Sequence, residues 1–145
     1  MSVKPIPEGY HTVTPYLVVQ GVSQLLEFLK QAFAAKEIYR SALPDGTVMH
    51  AEIEIGNSRV MLGEAKGEYK PTPSMLYLYV EDTDAVYKRA IEAGGISVME
   101  PANQFYGDRN AGIKDRCDNQ WWIATRIENL SAEEIAERAK TAKKH

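Results

Sequence analysis

From Val48 to Ile55 the chain alternates, with apolar Ala51, Ile53 and Ile55 between polar His50, Glu52 and Glu54. That period of two predicts a strand with two unlike faces. Gly56 and Asn57 separate it from a second strand, Ser58 to Glu64, in the manner of a tight hairpin. Upstream, Val22, Leu25, Leu26, Leu29, Ala32 and Phe33 recur at helical spacing and predict one amphipathic helix that ends before Lys36. A strand from His11 to Gln20 precedes it, in which Pro15 tolerates only an edge or bulge position. A short strand from Glu37 to Leu43 and the turn Pro44-Asp45-Gly46 follow it.

The same order then recurs. Met75 to Val80 reads as a strand, and Asp82 or Thr83 caps a helix running to about Ala93, where Gly94 and Gly95 stop it. Ile96 to Met99 reads as a strand and residues 101–110 as a loop. Arg109 to Lys114 and Gln120 to Arg126 are strands joined through a turn at Asp118 and Asn119. Ser131 with Glu134 three residues on is a capping-box pattern, predicting a C-terminal helix with thin apolar content. A fixed offset relates the two halves: Tyr16 maps onto Tyr77 (77 − 16 = 61), Leu25 onto Val86, Gly46 onto Gly107 and Arg59–Leu62 onto Gln120–Ile123, with no gap. The expected organisation is a lead-in at 1–10, a first βαβββ module at 11–64, a linker at 65–73, a second βαβββ module at 74–127, and a C-terminal helix and tail at 128–145. The fold class is α+β, each sheet twisted with its helix on the convex side.

Composition narrows the functional classes. At 145 residues, 44% hydrophobic and 26% charged, the chain has globular values. No apolar run approaches the ~20 residues that span a bilayer, and residues 1–11 lack the apolar core of a secretory signal. Net charge is −3 with basic residues dispersed, so no nucleic-acid face is expected. The lysines of the final six residues read as cations at a helix end. The lone Cys117 excludes an intrachain disulfide and a cysteine zinc cluster, and a cytoplasmic location is the expectation.

The segments HAEIEIGNSRVMLGE, YLYVEDTDAVYKRAIEAGG, QFYGDR and WWIAT, in that order, resemble the vicinal oxygen chelate superfamily of glyoxalases, bleomycin-resistance proteins and extradiol dioxygenases, and its PhnB-like branch in particular. The resemblance implies that the two modules pair and curl into a mixed-sheet cup, and that the chain forms a homodimer. Some branch members carry a demethylubiquinone methyltransferase label, but no glycine-rich strand-to-helix loop for a nucleotide cofactor occurs here, and no cofactor is expected. Metal-using members hold one divalent ion through four His, Gln or Glu positions. Placed on this chain they fall at Thr14, Met61, Met75 and Trp122. A thioether, an indole and a hydroxyl are not the donors a Lewis-acidic ion needs, so no metal is expected there. A displaced site using His50, Glu52 and Glu64 is the alternative, although residues strung along one strand diverge. The turn Asp115–Trp122 departs from the branch's DPFGHRW-like pattern, which removes any role of that turn's His or aromatic. Cys117 has no evident base beside it.

If the four equivalent positions face the cup, alternation brings Tyr16, Tyr77 and Tyr79 inward with Met61, Met75 and Trp122. Such a wall suits a flat, partly apolar small molecule. Tyr106 and Arg109 of QFYGDR lie at the expected mouth, as a lid and an anion clamp. Three readings follow: a metal-independent small-molecule binding protein; an isomerase or lyase of glyoxalase type, with a relocated metal or acid–base work by His50 and Glu52 or Glu64; and a domain whose cup is simply filled by its own rings.

Overall fold

The computed structural model describes residues 2–142. The elements run β1 (Tyr16–Val19), α1 (Val22–Phe33), β2 (Lys36–Ala42), β3 (Val48–Ile55), β4 (Ser58–Glu64), β5 (Met75–Tyr79), α2 (Thr83–Glu92), β6 (Ile96–Asn103), β7 (Asp108–Lys114), β8 (Gln120–Arg126) and α3 (Ala132–Thr141). They form two separate four-stranded sheets of identical topology, β1-β4-β3-β2 and β5-β8-β7-β6. In each, the first strand runs parallel to the last and the remaining pairs are antiparallel.

The offset of 61 holds for β1 and β4, because Tyr16 pairs with Met61 as Tyr77 pairs with Trp122. It does not hold for the middle strands. Glu52 faces Met61 while Gly112 faces Trp122, which makes the offset there 60 (112 − 52). The gapless repeat is therefore corrected by one residue, which the longer β7–β8 turn restores before β8 begins. In that turn Asp118 adopts φ 65°, the left-handed geometry that Asp tolerates.

Two element boundaries also differ from expectation. β1 begins at Tyr16, not His11: Pro15 offers no N–H to a ladder, and its carbonyl serves only to accept Met61 N–H at 2.9 Å. β6 continues to Asn103 through Pro101, because it is an edge strand with irregular register between Met99 and Ala102. The loop before β7 shrinks accordingly. The Ser131–Glu134 capping box is present, and α3 buries no residue of its own. An Arg138–Glu128 ion pair with both N–O contacts at 2.9 Å ties it down. Lys143, Lys144 and His145 of the basic C-terminus lie outside the described residues.

One core serves both modules. The apolar stripe of α1, with Leu17, Val19, Val60, Leu62, Ala51 and Ile53, joins Ala90 of α2 and Ile113, Trp121 and Ile123 of the second sheet. Phe33 and Trp121 pack with ring centroids 5.1 Å apart. α1 and α2 pack on each other, each against its own sheet. The helix-side faces of both sheets thus converge, and within one chain the opposite faces do not close on each other. Tyr16, Met75, Tyr77 and Tyr79 on those opposite faces are 49%, 67%, 43% and 62% exposed. The linker runs beside β1, where Thr72 N–H donates to Val18 O at 3.0 Å. The outer edge of β5, by contrast, has no pairing strand among the described residues.

Candidate functional site

The open face of the first sheet carries a chain of proton-bearing groups. His50 Nε2 lies 2.9 Å from Glu52 Oε2, and Tyr16 Oη lies 3.2 Å from His50 Nδ1. Tyr10 donates its hydroxyl to the other Glu52 oxygen. Tyr10 belongs to the lead-in, folded back over the sheet. Arg59 stacks over its ring at 5.1 Å and pairs with Glu54 at 3.1 Å. The Tyr10 hydroxyl, then His50, hold the Glu52 carboxyl below the usual carboxylate range. An ionised carboxylate only accepts, so His50 carries its hydrogen on Nε2 and presents Nδ1 to the Tyr16 hydroxyl. Gly63 makes that contact possible: a Cβ there would meet Tyr16 Oη at 2.6 Å.

The open face of the second sheet is a web of phenols and amides around one buried carboxylate. Tyr77 and Tyr79 both donate to Asp108 Oδ2 at 2.8 Å. Asn110 Nδ2 donates to Tyr77 Oη at 3.0 Å and to Tyr106 Oη at 2.8 Å, while Gln104 donates to Asn110 Oδ1 at 3.1 Å. Asp108 is 3% exposed and its Oδ1 has no partner. Burial first, then donation to Asp108, keeps the Tyr77 phenol protonated well above its ordinary value. Tyr79 is raised chiefly by its bond to Asp108. Trp122 lies flat over Gly112, where a Cβ would meet three indole atoms at 3.0 Å.

The expected site residues are divided by this geometry. Tyr16, Met61, His50 and Glu52 share the first open face, and Met75, Tyr77, Tyr79, Tyr106 and Trp122 share the second. Glu64 and Arg109 face the helices. The Glu64 carboxylate accepts from Gly21 N–H at 3.0 Å and Val22 N–H at 3.1 Å, satisfying the N-terminus of α1 in place of a capping side chain. Arg109 grips Asp84 of α2 through contacts of 3.1 and 3.0 Å and reaches Asn103 at 3.0 Å. Neither joins the residues it was grouped with in the sequence.

Tyr10 and Asn110 are the participants that the sequence did not single out; Asp108, expected with the rest of QFYGDR at the mouth, is instead buried beneath Tyr77 and Tyr79 and does not bridge to Arg109. Asp108 and Asn110 had a legible signal, since they alternate with Ala111 and Ile113 as Glu52 does with Ile53. Tyr10 had none, because its partner is 42 residues away.

A groove of about 1070 Å³ runs along β5 between the modules. Tyr16, Met75, Tyr77 and Tyr79 line it together with the β3–β4 hairpin, over a floor that includes Phe33 and Trp121; Met61, Tyr106, Arg109 and Trp122 do not reach it. The turn after β7 is internally satisfied. Buried Asp115 accepts from Cys117 N–H, Asn119 and the Trp121 indole at 2.8–3.3 Å. Asn119 Oδ1 accepts from Ser74 N–H at 2.8 Å. Burial pushes the Cys117 thiol up to about 11, which makes it a poor nucleophile near neutrality.

Residues 10–123 match the model of the Glyoxalase/Bleomycin resistance protein/Dioxygenase superfamily. The chain belongs to that superfamily. An uncharacterized protein of Mycobacterium bovis is 29% identical over 134 residues, covering 85% of this chain and 88% of its own. Among solved structures, the PhnB protein from Bacillus cereus superposes with TM-score 0.63 at 18% identity, covering 79% of this chain and 99% of its own. The fosfomycin resistance protein FosX from Mesorhizobium loti gives 0.61 at 15%, covering 86% and 95%. The side chains at Thr14, Met61, Met75 and Trp122, where the resemblance leads one to expect metal ligands, offer no carboxylate or imidazole donor. Among the described residues no three His, Cys, Asp or Glu side chains converge to hold a metal ion elsewhere.

Proposed function

We propose that this superfamily member is a homodimeric, metal-independent binding protein for an aromatic or partly apolar small molecule. The ligand lies against the open face of the second module, with an open face of the first kind as the opposite wall of the cup. The observation that carries the reading is that face itself: Met75, Tyr77 and Tyr79 are held outward while two of the three hydroxyl-bearing rings in the web are oriented by a buried carboxylate. A protein that used these rings only as core would bury them, and aliphatic side chains would serve more cheaply. Since one chain's two open faces do not close on each other, a second copy seated along the bare edge of β5 is the natural way to turn them into a closed cup. Antibiotic sequestration, as the names of the bleomycin- and fosfomycin-resistance relatives suggest, is the kind of role intended.

We place the protein in the cytoplasm, in line with its single unpaired cysteine, and expect neither nucleic acid nor membrane as partner. No helix among the described residues is long and apolar enough to cross a membrane. A thermal-shift screen of aromatic compounds tests the binding reading, because a ligand of the native state raises the midpoint by mass action. The shift should vanish in Trp122→Ala and Tyr79→Ala. Metal analysis of protein purified without chelator tests metal independence, and about one equivalent of a divalent ion per chain would overturn it.

The second reading, an enzyme of isomerase or lyase type, is favoured by one observation: His50, Glu52 and Tyr16 form a continuous hydrogen-bonded chain ending at a half-exposed tyrosine.

A further inference from the structure

We infer that Tyr16, His50 and Glu52 form a proton relay whose working end is the Tyr16 hydroxyl, making Tyr16 a base-assisted proton-transfer group on the first open face. The proposal rests on the reading that the open faces receive the ligand, but it concerns chemistry that the second module cannot perform. Glu52 Oε2 fixes the imidazole with hydrogen on Nε2 (2.9 Å), leaving Nδ1 as an acceptor 3.2 Å from Tyr16 Oη. When an acidic proton of a bound molecule passes to the Tyr16 oxygen, the phenolic proton moves to His50 Nδ1. The resulting imidazolium is paired with the Glu52 carboxylate, so charge and protons balance without any added reagent. The reverse transfer returns the proton to the ligand. Tyr16 is the residue that would touch the ligand; His50 and Glu52 act through it as positioning residues.

Three features of the surroundings agree with this role. Gly63 leaves room for the Tyr16 ring to lie over β4 and reach Nδ1. Tyr39, from β2, borders the imidazole with centroids 6.3 Å apart, so both flanks of His50 are aromatic. Tyr10 occupies the second Glu52 oxygen, which leaves the first committed to His50. The groups that face His50 are therefore Glu52 on its own strand, Tyr16 from β1 and Tyr39 from β2, with Tyr10 and Arg59 behind Glu52.

The corresponding hydroxyl of the second module sits in the opposite situation. Tyr77 receives a hydrogen from Asn110 and gives its own to Asp108, with no imidazole to take a proton in turn.

The test needs no ligand. Protein is treated with 4-(2-aminoethyl)benzenesulfonyl fluoride and labelled tyrosines are mapped by mass spectrometry. Sulfonylation forms an O–S bond and expels fluoride as the phenolic proton goes to a base. Tyr16 is expected to label at least ~10-fold faster than the exposed Tyr69, with Tyr77 and Tyr79 slower than Tyr69. His50→Gln should bring Tyr16 down to the Tyr69 rate, and Gly63→Ala should do the same by displacing the ring. Glu52→Gln should slow Tyr16 by removing the carboxylate that orients the imidazole, and Glu52→Asp, which keeps the carboxylate, should retain more of the rate than Glu52→Gln. Equal rates at Tyr16 and Tyr69 overturn the relay even if no variant folds. A fast Tyr16 in a protein that binds no aromatic compound would uphold the relay and sink the binding proposal, so the two fail separately.

Discussion

The two open faces are duplicates of one design that have diverged in how they hold a tyrosine hydroxyl. Tyr16 and Tyr77 occupy the same place on β1 and β5, and Met61 and Trp122 the same place beside them. Across the sheet, His50 corresponds to Asn110 and Glu52 to Gly112, both at an offset of 60. Where the first module puts an imidazole backed by an exposed-side carboxylate, the second puts an amide, and its carboxylate sits buried at Asp108. The backbone positions a phenol in both cases. The residue opposite decides whether that phenol exchanges a proton or only presents a ring and a lone pair.

The largest expected effect separates the two carboxylates. Asp108→Ala strips the shared acceptor from Tyr77 and Tyr79 in a buried setting and should cost about 2 kcal/mol in urea unfolding. Glu52→Ala frees groups that can turn to water and should cost less than ~1 kcal/mol. Equal losses would erase the distinction drawn here. Next come the two glycines. Gly112→Ala pushes against a rigid indole contacted by several atoms at 3.0 Å and should cost about 1 kcal/mol. Gly63→Ala meets the far end of a half-exposed phenol that can swing away, so the melting temperature should scarcely move while Tyr16 loses His50.

The smallest effect is a pH dependence. Because the Glu52 carboxyl is depressed in the folded state by Tyr10 and His50, its contribution is present above the ordinary carboxylate range and fades as pH falls through the lowered value. The stability difference between the unsubstituted protein and Glu52→Gln should accordingly be flat above pH ~5 and shrink below ~4. A difference that grew on acidification would reverse the assignment.

The elements themselves were largely legible, because period-two and period-3.6 patterns report which face is buried, most plainly in β1, β4 and β8. The face assignment of Tyr16, Met75, Tyr77 and Tyr79 followed from the same alternation. What could not be read was whatever depended on a partner distant in sequence. Glu64 looks like a strand carboxylate available for chemistry until the N-terminus of α1 is placed 3.0 Å from it. Arg109 looks like an anion clamp until α2 brings Asp84 to it. Tyr10 sits among prolines and glycines with no pattern to announce it. The β7 parity was hidden by a one-residue slip in the repeat, which is enough to exchange the two faces of a strand.

The central claim, that one ligand is held between the two kinds of open face, is tested most directly by NMR of protein carrying ¹³C-methyl methionine. Met61 reports the first face, Met75 the second, and Met49, of opposite parity to His50 on β3, serves as the control. An aromatic compound that raises the melting temperature should shift Met61 and Met75 together and leave Met49 in place. A stabilising compound that moves neither, or that moves Met49 instead, would contradict the account.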